Sequence, residues 1–152
     1  MRPRLVLLLS AVLSSARLAS AQQTETVWHP AIGLTLGAPY GASAYVGLGR
    51  MSHLTTEWET FRGVAGIAEA GRGGGQLAIA RAWEEEGLMT RLQGAVVRSW
   101  GNAFQVAPGQ TFVSAQIQTS FVFGANIGLY RRVQGNAPGA AWFGAARLVI
   151  GF

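Results

Sequence analysis

Alternation over residues 140–152, A-A-W-F-G-A-A-R-L-V-I-G-F, constrains this chain more than any other feature. Trp142, Ala146, Leu148, Ile150 and Phe152 share one parity and are apolar or small, whereas the other parity is mixed and includes Arg147. A period of two belongs to a β-strand with two unlike faces. Trp142 and Phe152 are ten residues apart, roughly 33 Å of extended chain. A strand tilted by about 40–45° needs about that length to cross a membrane's apolar layer with an aromatic residue at each interface.

The other end of the chain agrees with a membrane destination. Arg2 and Arg4 form a basic start, residues 5–13 an apolar run of nine, and Ala19-Ser20-Ala21 a small-x-small cleavage site. This pattern predicts a secretory signal peptide over 1–21 that is cleaved after Ala21, leaving residues 22–152 as one domain. The run is too short for a spanning helix. With no Cys there is neither a lipid-anchoring cysteine nor a disulfide. The formal net charge of +5 overstates the mature chain, because Arg2, Arg4 and Arg17 leave with the leader. Nine Arg against seven Glu then give +2, with no basic cluster beyond Arg131-Arg132, so no nucleic-acid partner is expected. Hydrophobic residues make up 49% of the sequence. Yet after residue 21 no apolar run approaches the roughly 20 residues of a spanning helix. An apolar, secreted chain without such a helix points to strands with one lipid-facing and one inward face.

Eight strands follow from the alternation and the turn residues. Residues 22–28 read as a polar lead-in, with Pro30 near the start of the first element. Residues 31–38 and 42–49 form a hairpin around Pro39-Tyr40-Gly41. Residues 50–56 read as a connection, and the third strand lies within 57–70. Its phase is ambiguous: Phe61, Ala65 and Ile67 favour one face, Trp58 and Val64 the other, which a bulge would reconcile. Strands over 75–83 and 88–100 flank the charged turn 84–87. The loop 101–110 precedes a 22-residue stretch, 111–132, without a Gly-Pro break. One strand of that length would be about twice what a membrane needs, so it is expected to split near 120–122. The loop 133–139 leads to the closing strand. An even count puts both ends on the periplasmic side. Residues 39–41, 71–74, 101–110 and 133–139 are then outside.

On that topology Tyr40, Trp100, Tyr130 and Trp142 fall near the outer interface and Trp58 and Trp83 near the inner one. These are two aromatic girdles of the kind a lipid-spanning barrel uses. Arg81 and Arg98 fall on the outward phase, each two residues from a girdle Trp. They are candidates for contact with lipid phosphate or for snorkelling to the interface. Inward candidates are Arg91, Gln93, Gln116, Gln118, Asn126 and Arg147, read either as a polar pathway or as a self-satisfied hydrogen-bonded core.

These features together resemble the small eight-stranded bacterial outer-membrane β-barrels, in architecture the transmembrane domain of outer membrane protein A. The carriers are the leader, the alternation, the girdles and the L-V-I-G-F ending. The resemblance implies an all-β, closed, antiparallel, up-and-down transmembrane barrel in the outer membrane of a Gram-negative bacterium. It also implies that Leu148, Ile150 and Phe152 serve as the signal read by the barrel-assembly machinery. The outer loops are shorter than those of adhesin-like members.

An eight-stranded interior is just wide enough for side chains to fill, so no open pore is expected. The expected role is non-enzymatic: structural, or an interaction at the surface, with membrane lipid as partner and no cofactor or metal. Two other readings exist. One is a secreted or periplasmic barrel that holds an apolar ligand, like a lipocalin. The other is a lipid-modifying enzyme built on Ser52, His53 and Glu57, since a His can activate a hydroxyl; adjacent strand residues, however, point to opposite faces. Glu84-Glu85-Glu86 reads as a solvated turn. G-R-G-G-G at 71–75 opens a strand and not a helix, so it is no phosphate loop.

Overall fold

The computed structural model describes residues 25–55, 59–104, 106–136 and 140–151. The expected leader, Glu57, Trp58 and Phe152 lie outside the described residues. Eight antiparallel strands form one sheet closed on itself, with no helix among the described residues: β1 (Thr26–Gly37), β2 (Gly41–Thr55), β3 (Glu59–Gly71), β4 (Gly74–Glu85), β5 (Leu88–Ser99), β6 (Thr111–Ser120), β7 (Phe123–Gln134) and β8 (Trp142–Gly151). Each strand pairs with the next, and residues 33–37 of β1 pair with 147–151 of β8 to close the ring. Closure leaves no strand with a wholly free edge; residues 26–32 of β1 lie beyond the seam with β8. The expected break at 120–122 is a two-residue turn, Phe121-Val122, where the Phe121 N–H donates to the Phe123 carbonyl at 3.2 Å.

The strands differ from the sequence expectation in β1, β2 and β3, and β4 runs to Glu85, through the first two residues of the expected turn 84–87. First, β1 begins at Thr26, inside the expected lead-in, because residues 26–30 pair with 48–52 of β2. Pro30 is tolerated there for a reason of parity. The His53 N–H donates to the Glu25 carbonyl at 3.0 Å, so residues 25, 27 and 29 turn their polar backbone toward β2. Pro30 therefore turns its N–H-less nitrogen to the opposite side, where β8 does not reach. Second, β2 continues to Thr55 through the expected connection. Polar composition does not stop a strand whose parity still holds: Met51 is buried while Arg50 is exposed. Third, β3 has no bulge; its register with β2 and β4 is unbroken. Phe61, Ala65 and Ile67 point inward and Val64 outward, one simple parity. The one register shift among the described strands lies at Thr111/Phe112, between β6 and β7.

The two faces of the wall are chemically opposite. Ile79 and Leu77 are 72% and 69% exposed, and Ile32, Leu48, Val96 and Leu129 are also exposed. Inside, Thr35, Ser43, Glu69, Gln76, Gln116 and Arg147 are buried. The "upper" end below is the one carrying the connections β1–β2, β3–β4, β5–β6 and β7–β8; the "lower" end is the other.

Candidate functional site

The centre of the ring is a hydrogen-bonded cluster around one carboxylate. Glu69, inward on β3, accepts from the Thr35 hydroxyl of β1 at 2.7 Å, from Ser43 of β2 and from the Gln76 amide of β4 at 2.6 Å. Its ion-pair partner is Arg147, reaching across from β8; both side chains are almost wholly buried. Gly37, the cross-strand neighbour of Arg147, makes that reach possible. A Cβ at Gly37 would lie 3.2 Å from the Arg147 Cγ, inside the path of the side chain. Arg147 also donates to the Gln116 carbonyl oxygen of β6 at 2.7 Å. Gln116 in turn donates to Gln76 at 2.7 Å and accepts from Gln93 of β5 at 2.9 Å. The cluster thus draws side chains from every strand except β7, which supplies Tyr130 beside it. Donors and acceptors alternate through it, which is what makes a buried polar layer tolerable.

Aromatic rings cover this cluster at the upper end. Tyr40 donates to Gln76 at 3.1 Å and lies under the Arg147 guanidinium, 5.2 Å from ring centre to Cζ. Tyr130 stacks on Phe143 at 4.9 Å, and Phe143 meets Phe112 edge-on at 5.3 Å. Tyr40 and Tyr130, expected in the outer girdle, are therefore corrected: they are 1% and 0% exposed and point into the ring. The reason is again parity. Tyr130 shares a face with Gly128 and Asn126, and Gly128 leaves room for its ring.

Below the cluster lies a second polar layer of different character. Arg91 and Gln118 are cross-strand partners, as are Gln118 and Asn126. All three are buried. Among the described residues Arg91 has no hydrogen bond or ion pair; its Cζ sits 5.0 Å over the Tyr45 ring. Gln118 Nε2, both Asn126 side-chain polar atoms, Ser120 Oγ and the Tyr45 hydroxyl have no hydrogen-bond partner. Lower still, Met51, Ala82 and Met89 pack with Phe61, on which His53 stacks at 4.8 Å.

On the outer wall, Trp100 and Trp142 are exposed and Trp83 is half-buried. The Trp100 indole N–H donates to the Gly71 carbonyl at 3.0 Å, and its ring lies over Gly75. Trp142 stacks under Arg131 at 5.2 Å. Beside Trp100 a groove of about 530 Å³ runs over the small residues Ala44, Ala68, Ala70 and Gly75. Arg98 borders it and donates to Thr111 at 2.7 Å. Arg81 is exposed, and with Arg50 and Arg62 it surrounds Val64: Val64 pairs with Arg50 on one side and Arg81 on the other. Leu148 and Ile150 are exposed on the same wall.

Of the suggested Ser52–His53–Glu57 hydrolase, Glu57 lies outside the described residues. Adjacent on β2, Ser52 and His53 project to opposite faces of the strand, His53 inward onto Phe61. No group of three or more His, Asp or Glu side chains that could hold a metal occurs among the described residues.

The β5–β6 connection is tied down at its base. Ser99 exchanges backbone hydrogen bonds with Gly109 and Gln110, and its hydroxyl donates to the Ala107 carbonyl at 2.7 Å. Ala103 and Val106 form an isolated bridge. At its tip Phe104 is 61% exposed with a φ of 49°. Comparison with protein-family models, curated proteins and solved structures found no match for this chain.

Proposed function

We propose that this protein is a non-enzymatic outer-membrane β-barrel without an open pore, acting as a structural element or a surface-interaction module. The observation that carries the reading is the inverted wall: aliphatic side chains outside, hydrogen-bonded polar side chains inside. In water each fully exposed Leu or Ile forgoes about 1.5–3 kcal/mol of burial; in lipid the same wall is the favourable one. A soluble ligand carrier needs the opposite arrangement. The cluster from Glu69 to Gln93 occupies the interior, which supports a plugged barrel. Trp100 and Trp142 fit an interfacial girdle at the upper end, and Trp83 one at the lower. Arg81 and Arg98 would meet lipid phosphates there, while Leu148 and Ile150 would belong to the assembly signal.

The surface role rests on Phe104. An exposed aromatic ring held in the left-handed region, where a non-glycine residue is strained, is the kind of feature that interaction sites keep. The protein is expected to remain with the outer-membrane fraction after a carbonate wash and to migrate differently in detergent gels before and after boiling. Release by carbonate as a soluble protein would overturn the membrane reading.

A further inference from the structure

A buried guanidinium without a counter-charge is very costly in a protein interior. Arg91 is 3% exposed. Among the described residues the buried ionisable side chains of opposite sign inside the ring are Glu69, Arg147 and Arg91. Glu69 is already held by Arg147, Thr35, Ser43 and Gln76. Among the buried side chains of the described residues one positive charge is therefore in excess, and it sits at Arg91. Around it the unpartnered groups are mostly able to donate: the Gln118 and Asn126 amides, the Ser120 hydroxyl and the Tyr45 hydroxyl. They are also close together. Arg91, Gln118 and Asn126 are successive cross-strand neighbours on β5, β6 and β7, with Cβ atoms about 4.5–5.5 Å apart. Ser120 lies two residues from Gln118 on the same face.

We propose that this layer is a binding site for a small monovalent anion of the halide class, held by the Arg91 guanidinium and the amides of Gln118 and Asn126. Its charge follows from Arg91, the buried cation that has no counter-charge among the described residues. Its size follows from the setting: the Glu69 cluster closes the layer above, the Met51–Phe61–Met89 cluster packs below, and an eight-stranded ring has little interior beyond its side chains. The site does not depend on which membrane, if any, surrounds the ring.

The test uses the folded full-length chain in detergent at constant ionic strength. Replacing gluconate by chloride or bromide should raise the thermal unfolding midpoint in a saturating, concentration-dependent way. The folded protein should also broaden the chloride NMR line. Arg91→Gln should lose both effects, and Arg72→Gln, in the exposed β3–β4 turn, should keep them. If wild type unfolds at the same midpoint in all three anions and gives no excess broadening, the site does not exist. Equal broadening by Arg91→Gln and wild type would equally overturn it. Should Arg91→Gln fail to fold, the wild-type comparison of halide with gluconate decides alone.

Discussion

At Glu69 one carboxylate answers donors from β1, β2, β4 and β8. Glu69→Ala leaves Arg147 buried without a counter-charge, and breaking such a pair costs about 3–5 kcal/mol. Urea unfolding should show that loss. Pairing Glu69→Leu with Arg147→Met should recover much of it, because the uncompensated charge is gone. A Glu69→Ala variant as stable as wild type would mean that the cluster does not hold the ring. Tyr40, in the β1–β2 turn, gives a pH signature. Burial, chiefly, raises its hydroxyl pKa well above the ordinary 10.0. The folded form then keeps a proton that the unfolded chain releases, so stability is full below pH 10.0 and falls as the pH rises further. Unfolding midpoints measured across that range should drop for wild type and drop less for Tyr40→Phe. In the sequence Glu69 was invisible as a centre, since A-G-I-A-E-A-G offers one acid among small residues and its four donors lie on four other strands. Tyr130 was legible and misplaced: four residues from Asn126, it had to share the inward face already assigned to that residue.

Parity governs the elements as well. The strands 31–38, 75–83 and 88–100 were readable because their outward residues are aliphatic. The ends of β1 and β2 were not, because Arg50, Ser52 and His53 look like a loop when pairing partners are unknown, yet residues 50–52 pair on both sides, with β1 and β3. The β4–β5 turn shows how a local conflict survives. Glu86 and Gly87 have φ of 52° and 82°, the two positive values that a tight hairpin of this kind needs. Glycine meets that need freely and Glu does not. Glu86→Asn should therefore stabilise the hairpin by about 1 kcal/mol, since Asn tolerates the left-handed region. A chemical-denaturation midpoint that falls instead would show that the carboxylate has a role the backbone does not reveal.

For the whole molecule, the count of eight and the two-faced wall were legible in composition and alternation alone. The inward set Arg91, Gln93, Gln116, Gln118, Asn126 and Arg147 was too, and all six are buried. How they connect was not, because hydrogen bonds across a lumen join residues with no sequence relation. Closure is also uneven. The β1–β8 seam spans only 33–37 against 147–151, whereas β1 pairs with β2 from Thr26 to Gly37. Residues 26–32 thus have one neighbour where most strand residues have two. Hydrogen exchange followed by mass spectrometry should find those residues and the seam exchanging before β3 and β4. The reverse order would place the weakest joint elsewhere.

The same seam gives the Glu69–Arg147 pair a meaning in time. Arg147 is carried by β8 and Glu69 by β3, so the carboxylate is synthesised well before its cation. Until β8 docks, the carboxylate has hydroxyl and amide donors but no cation, and a ring of seven strands is both open and charge-unbalanced at its centre. Completion of the ion pair and sealing of the wall therefore depend on the same strand, β8.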